Sequence, residues 1–229
     1  MACGGSALVE QVEETGRGAA AKRGDMIHRV IAARLMGHPD PDTGRYKLPL
    51  GTWTMLGLAA MIGRGGSLRA EEAYSYDGAG VEVLGHDIGR AYDRPGTLCG
   101  AADIVVVREA ALVADVKTGR HSAPEPSGNW QLASLAVFVS LAYPAVKTVT
   151  GAIAKLETDG EWTWMQHTWD KVALASIRAR LDRALAALRV NAAIVESGIA
   201  DAPVTPGAHC SYARCVCPHA VIPQYSRAA

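Results

Sequence analysis

Apolar positions follow a helical period near the start of the chain, a strand period through its middle and a helical period again toward its end. In Gly24 to Met36, GDMIHRVIAARLM, the residues Ile27, Ile31 and Leu35 share one helix face, with Asp25 as the expected cap and Gly37 and Pro39 as the stop. His28 lies beside that stripe. Pro39 to Gly51 reads as a loop, and Trp53 to Ile62 as a second helix closed by the glycines from Gly63 to Gly66. Strands are expected over Ala73 to Tyr76, Val81 to Leu84, Gly100 to Val107 and Ala111 to Lys117. The last two have nearly all-apolar centres, which suits strands covered on both faces. Gln131 to Tyr143 reads as a buried helix ended by Pro144, and Val146 to Leu156 with Trp162 to Trp169 as a hairpin around Thr158, Asp159 and Gly160. From Lys171 to Glu196 the residues Leu174, Ile177, Leu181, Leu185, Leu188 and Val195 mark a long amphipathic helix with Gly198 after it. The order of elements predicts a mixed α/β or α+β fold, helices flanking a central sheet.

A chain of 229 residues, 49% hydrophobic and 20% charged, can bury one sizeable core, so a single domain over 1–229 is expected. Basic and acidic residues balance at 23 each, which excludes holding nucleic acid by bulk charge. The balance hides an asymmetry: seven basic residues face three acidic ones from Lys171 onward, so the last third is the more polyanion-facing part. Met1 to Glu14 does not have the pattern of a secretory signal, and Leu132 to Val146 is too short and too broken to span a bilayer. A cytoplasmic protein with no membrane partner is the expectation, and its five cysteines read as thiols or metal ligands rather than disulfides.

The stretch GAADIVVVREAALVADVKTG, Gly100 to Gly119, carries the chemistry. A turn centred on Glu109 makes Asp103 and Asp115 cross-strand neighbours pointing the same way. Lys117 projects from the same face, and Val116 points into the opposite layer. Two carboxylates held about 5 Å apart repel each other unless a cation lies between them. A hard divalent ion such as Mg²⁺ resolves that cost with oxygen ligands, and a lysine beside it can orient an attacking water.

Asp103, then Asp115-Val116-Lys117, Thr118-Gly119 and Gln131, with His28 in an upstream helix, together resemble the PD-(D/E)xK nuclease superfamily, in particular its RecB-like branch. A D-x-K alone is uninformative; the conjunction carries the resemblance. It implies a restriction-endonuclease-like core in which Asp103 and Asp115 bind Mg²⁺ or Mn²⁺, Lys117 is the catalytic lysine, Gln131 orients the active-site loop or DNA, and His28 completes the metal site. It further implies a metal-binding set of His28, Asp103, Asp115, Val116 and one acidic residue from the first strand region. Glu72 is the first choice for that last role and Glu82 the second. Where the family often has a tyrosine four residues after the glutamine, this chain has Leu135.

A Cys/His-rich segment at 207–220 gathers His209, Cys210, Cys215, Cys217 and His219. Some RecB-like nucleases use three C-terminal cysteines and one N-terminal cysteine to hold a [4Fe-4S] cluster, which would assign Cys3, Cys210, Cys215 and Cys217 here. The Cys-x4-Cys-x-Cys spacing departs from that group, so zinc and unligated thiols stand as alternatives. Cys99 reads as a buried strand thiol. Trp162, Trp164 and Trp169 read as packing before base stacking, and Arg178, Arg180, Arg183 and Arg189 as solvated positions before phosphate contacts. The expected activity is metal-dependent hydrolysis of DNA phosphodiester bonds. An exonuclease or processing nuclease is expected, in company with a helicase or recombination protein. A non-catalytic nucleic-acid-binding or assembly subunit that keeps the fold is the alternative.

Overall fold

Strand-period alternation in the middle of the chain produces six strands, and the helical stretches pack on both faces of the sheet they form. The computed structural model describes residues 19–42, 66–86, 94, 96–118, 125–157 and 161–197. The elements in chain order are α1 (Ala19–Leu35), β1 (Ser67–Tyr76), β2 (Val81–His86), β3 (Leu98–Val107) and β4 (Ala110–Lys117). A short 3-10 turn at Pro126–Gly128 precedes α2 (Trp130–Ala142), followed by β5 (Thr148–Leu156), β6 (Trp162–Trp169) and α3 (Lys171–Glu196). The strands lie in the order β2-β1-β3-β4-β5-β6. Only β4 and β5 run parallel, and α2 is the crossover that a parallel pair needs. The fold is thus a mixed six-stranded sheet flanked by helices, an α+β core.

Two layers of side chains hold the helices. On one face Ile27 and Ile31 of α1 pack with Ile104, Val106, Leu112, Ala114, Val116, Ala152, Ala154 and Leu156. On the other, Phe138 of α2 lies against the rings of Tyr74 and Tyr76, and Leu135 covers Gly100. Asn129 caps α2 by accepting hydrogen bonds from the N–H groups of Gln131 and Leu132. Burial of seven side chains from Leu132 to Val139, Leu135 and Phe138 among them, is why this helix shows no polar face.

Arg17–Leu181 forms one compact unit, and the first part of α3 belongs to it through buried Leu174 and Leu181. In that unit the Arg178 guanidinium donates to Tyr76 Oη at 3.3 Å and to the Gly78 carbonyl at 3.4 Å. The second unit takes in Asp182 onward, where the described residues continue α3 to Glu196.

The β3–β4 ladder pairs Val107 with Ala111 and Ile104 with Ala114, so its turn is centred on Glu109 as the alternation predicts. One expectation fails at the start of α1. The helix begins at Ala19, so Asp25 lies within it and does not cap it. The run Ala19-Ala20-Ala21 is strongly helix-forming and carries the helix through Gly24. A Cβ at Gly24 would come 2.8 Å from Thr118 Oγ1, so glycine lets α1 pass close to the end of β4. The expected second helix at Trp53 to Ile62, the turn at Thr158 to Gly160, and Cys3, Cys210, Cys215 and Cys217 lie outside the described residues. Among the described residues no helix is long and apolar enough to cross a membrane.

Gly151 is the tightest point of the β5–β6 pair: a Cβ there would run into the buried Trp169 ring well inside van der Waals contact. Overpacking of this kind costs about 1–3 kcal/mol. Gly151→Ala is expected to lower the urea midpoint by that amount of stability at unchanged m-value, whereas Gly128→Ala, which meets nothing within 4 Å, is expected to leave it in place.

Candidate metal centre

Side chains two apart on a regular strand share a face. On β1, Leu68 packs with the α1-side core, yet Tyr74 and Tyr76 pack on α2 at the opposite face. The phase of the strand therefore reverses between them. The reversal falls at Glu71, whose φ of 50° makes it the one non-glycine residue in the left-handed region among the described residues. Such a conformation costs a non-glycine residue roughly 1–2 kcal/mol. The neighbouring pairs Ala70↔Ile104 and Glu72↔Ala102 bracket Glu71 and set it opposite Asp103.

This reversal builds the cluster. His28 Nδ1 of α1 lies 3.2 Å from Asp103 Oδ1 and 3.6 Å from Glu71 Oε1. One donor atom from each of His28, Glu71 and Asp103 falls within 4.8 Å of the others. Burial pulls the His28 imidazole down, but the Asp103 charge, hydrogen bonds to Asp103 and Glu71, and the Glu71 charge outweigh it and push it up to about 10. The second Asp103 oxygen is fixed from the other side: Val116 N–H donates to Asp103 Oδ2 at 2.5 Å, beyond the last ladder pair of β3 and β4.

Asp115 is 4% exposed. Its Oδ2 lies 2.7 Å from Lys117 Nζ, off the hydrogen-bonding direction, so this buried oxygen is met by charge and by no hydrogen bond. Burial and the Asp103 charge push the carboxyl up to about 6, against the pull of Lys117 and His28. In the parallel ladder Asp115 stands beside Ile153, and Lys117 beside Lys155, whose ammonium is held by Glu157 at 2.7 and 2.9 Å. Two carboxylates from adjacent strands with one imidazole form an oxygen-rich donor set, which fits a hard divalent cation. His28, Glu71 and Asp103 would hold it, with Asp115 facing them.

Glu72, the first choice for the upstream acidic ligand, does not join this cluster. It is wholly buried on the α2 side, where it accepts from Tyr143 Oη at 3.0 and 3.1 Å and from Tyr74 Oη, with Arg69 Nε at 3.4 Å. Burial and the Glu72 charge raise the Tyr143 hydroxyl to about 12. Glu82 is exposed on β2 opposite Ser75 and does not join it either. The Val116 side chain lies in the α1-side core, and only its backbone reaches Asp103. Gln131 is exposed in the first turn of α2, and Leu135, at the position where the family often has tyrosine, is buried over Gly100. Cys99 is a half-buried strand thiol 3.1 Å from Thr97 Oγ1. Trp162 and Trp164 pack against the α1-side core. Glu71 and Lys155 were not foreseen: Glu71 had only its adjacency to Glu72 as a signal, and Lys155 only its place one strand from Lys117.

No protein-family model matches the chain, and no curated protein matches its sequence.

The two adjacent glutamates separate by experiment. Glu72→Ala strips a carboxylate from buried Tyr74 and half-buried Arg69 and Tyr143 and is expected to cost about 3–5 kcal/mol in chemical denaturation. Glu71→Ala, at a half-exposed position, is expected to cost much less. Stability of the metal-free protein should also depend on pH. The raised His28 contributes stability that is full below its ordinary value of 6.5 and lost as pH rises through about 10. Asp115, raised from 3.8 to about 6, adds a penalty as its carboxyl ionises over that interval. Both effects weaken the fold toward alkaline pH. Denaturation midpoints in EDTA should fall between pH 6.5 and 10, and Asp103→Asn should flatten that fall.

Proposed function

We propose that this chain is a divalent-metal-dependent nuclease that hydrolyses DNA phosphodiester bonds in the manner of the PD-(D/E)xK enzymes it resembles. The observation that supports this best is the row Glu71, Asp103, Asp115 across three neighbouring strands, closed by His28 on α1 and Lys117 on β4. A bound Mg²⁺ or Mn²⁺ would supply Lewis acidity toward a phosphoryl oxygen and lower the pKa of water.

The remaining work falls to the chain. His28, Glu71 and Asp103 converge on one point, and Val116 N–H keeps Asp103 from swinging away. Lys117 is 36% exposed and tethered by charge to Asp115, so its ammonium can orient the attacking water and offset charge that develops on the phosphoryl oxygens. Burial of Asp115 keeps its carboxylate poorly solvated, which strengthens that tether. The chain has no bulk positive charge, so DNA must be drawn to the site by local groups.

The test incubates the protein with end-labelled linear single- and double-stranded DNA and with closed circular DNA, in Mg²⁺, Mn²⁺ or EDTA. Metal-dependent cleavage is expected, reduced about 10²-fold or more in Lys117→Ala and Glu71→Ala. Loss of linear DNA alone identifies an exonuclease, and nicking of the circle an endonuclease. Cleavage at the wild-type rate by Asp115→Ala overturns the proposal, and metal-independent DNA binding without cleavage favours a non-catalytic subunit.

A further inference from the structure

We infer that Tyr143, the C-terminal cap of α2, is a positioning residue for the metal centre: it ties Arg69 to Glu72 across Glu71 and so keeps the Glu71 carboxylate aimed at His28 and Asp103. This rests on the metal-dependent reading above and gives a task in it to a tyrosine on the α2 side of the sheet.

Arg69 and Glu72 are three residues apart on β1, an odd separation that puts side chains on opposite faces of a regular strand. Here they meet, with Arg69 Nε 3.4 Å from Glu72 Oε1. The contact needs the reversal at Glu71, which lies between them with its φ of 50°. The ion pair is therefore a staple over the left-handed residue. It is a weak one by itself, because Arg69 Nε is buried and makes no hydrogen bond. Tyr143 holds both of its ends. The Tyr143 hydroxyl donates to the Glu72 carboxylate, 3.0 and 3.1 Å from its two oxygens, and the Arg69 guanidinium carbon lies over the Tyr143 ring, 5.3 Å from the centroid. Tyr74 Oη adds a second hydrogen bond to Glu72 from β1 itself.

Two adjacent glutamates make such a staple necessary. Glu71 and Glu72 carry the same group, and moving the reversal by one residue would exchange their faces. Glu72 would then turn toward His28, and Glu71 toward the tyrosines. The hydrogen bonds from Tyr143 and Tyr74 select one arrangement, because Glu72 is wholly buried and no water could replace its partners. With Glu72 held, the residue before it is turned to the α1 side, where Glu71 Oε1 lies 3.6 Å from His28 Nδ1. Glu71 is only half-buried, so water competes for its carboxylate and its place depends on the backbone that carries it. Removing the Tyr143 hydroxyl loosens the staple and lets Glu71 leave a conformation that is disfavoured for any residue but glycine.

The test titrates the metal-free full-length protein with Mn²⁺ and follows the free ion by electron paramagnetic resonance, a readout that needs no cleavage. Tyr143→Phe keeps the ring under Arg69 and removes only the hydroxyl. It is expected to weaken Mn²⁺ binding about 10-fold, and Tyr74→Phe to act in the same direction. Glu71→Ala is expected to weaken binding at least as much. The double variant Glu71→Ala/Tyr143→Phe is expected to lose no more than Glu71→Ala alone, because the hydroxyl acts through that carboxylate. A role in stability alone would lower the urea midpoint of Tyr143→Phe and leave the Mn²⁺ affinity of the folded protein unchanged, which overturns the inference; an equal further loss in the double variant overturns it too. If Tyr143→Phe binds like the wild type while Glu71→Ala does not, the metal centre and the nuclease reading survive. A wild-type protein that binds no Mn²⁺ removes both.

Discussion

The left-handed backbone at Glu71 is the constraint on which the site and much of the core depend. Without it, β1 would keep one phase, and Leu68 and Tyr74 would lie on the same face. With it, Leu68 stays with α1, Tyr74 and Tyr76 go to α2, and two adjacent glutamates go to opposite sides of the sheet. Glu71 meets His28, and Glu72 is sealed among Tyr74, Tyr143 and Arg69. A strained residue persists where its surroundings over-determine it. Here they do so twice, through the buried Glu72 cluster on one side and the His28–Asp103 cluster on the other.

Charged groups converge in those surroundings. Glu71 and Asp103 face His28, and Asp115 faces Lys117. Burial and the neighbouring Asp103 charge push the Asp115 carboxyl up, against the pull of Lys117. A divalent ion held by His28, Glu71 and Asp103 would add positive charge where the carboxylates converge.

Legibility in the sequence divides along the same line. The β3–β4 pairing was readable because four apolar residues on each side of Glu109 leave one register that buries them, and that register delivers Asp103 and Asp115 together. The helix Lys171–Glu196 was readable from its period over many turns. Glu71 was not, because hydrophobic alternation assumes one backbone conformation along a strand and carries no sign of φ; it pointed to Glu72, one residue away. The start of α1 was missed for a related reason, since a short polar residue such as Asp25 signals a cap only where the preceding residues resist the helix, and alanines do not.

The end of the β3–β4 pairing is closed by a side chain. Ladder pairing between them ends at Ile104↔Ala114, and the next N–H of β4 beyond Asp115, that of Val116, is taken by the Asp103 side chain instead of a β3 carbonyl. A carboxylate that replaces a backbone acceptor keeps this donor paired. The sheet remains in register through β1–β3 on one side and β4–β5 on the other, so the acidic groups are carried by paired strands and not by loops. Rigid support of this kind is what a cluster needs if it is to hold like charges at short range.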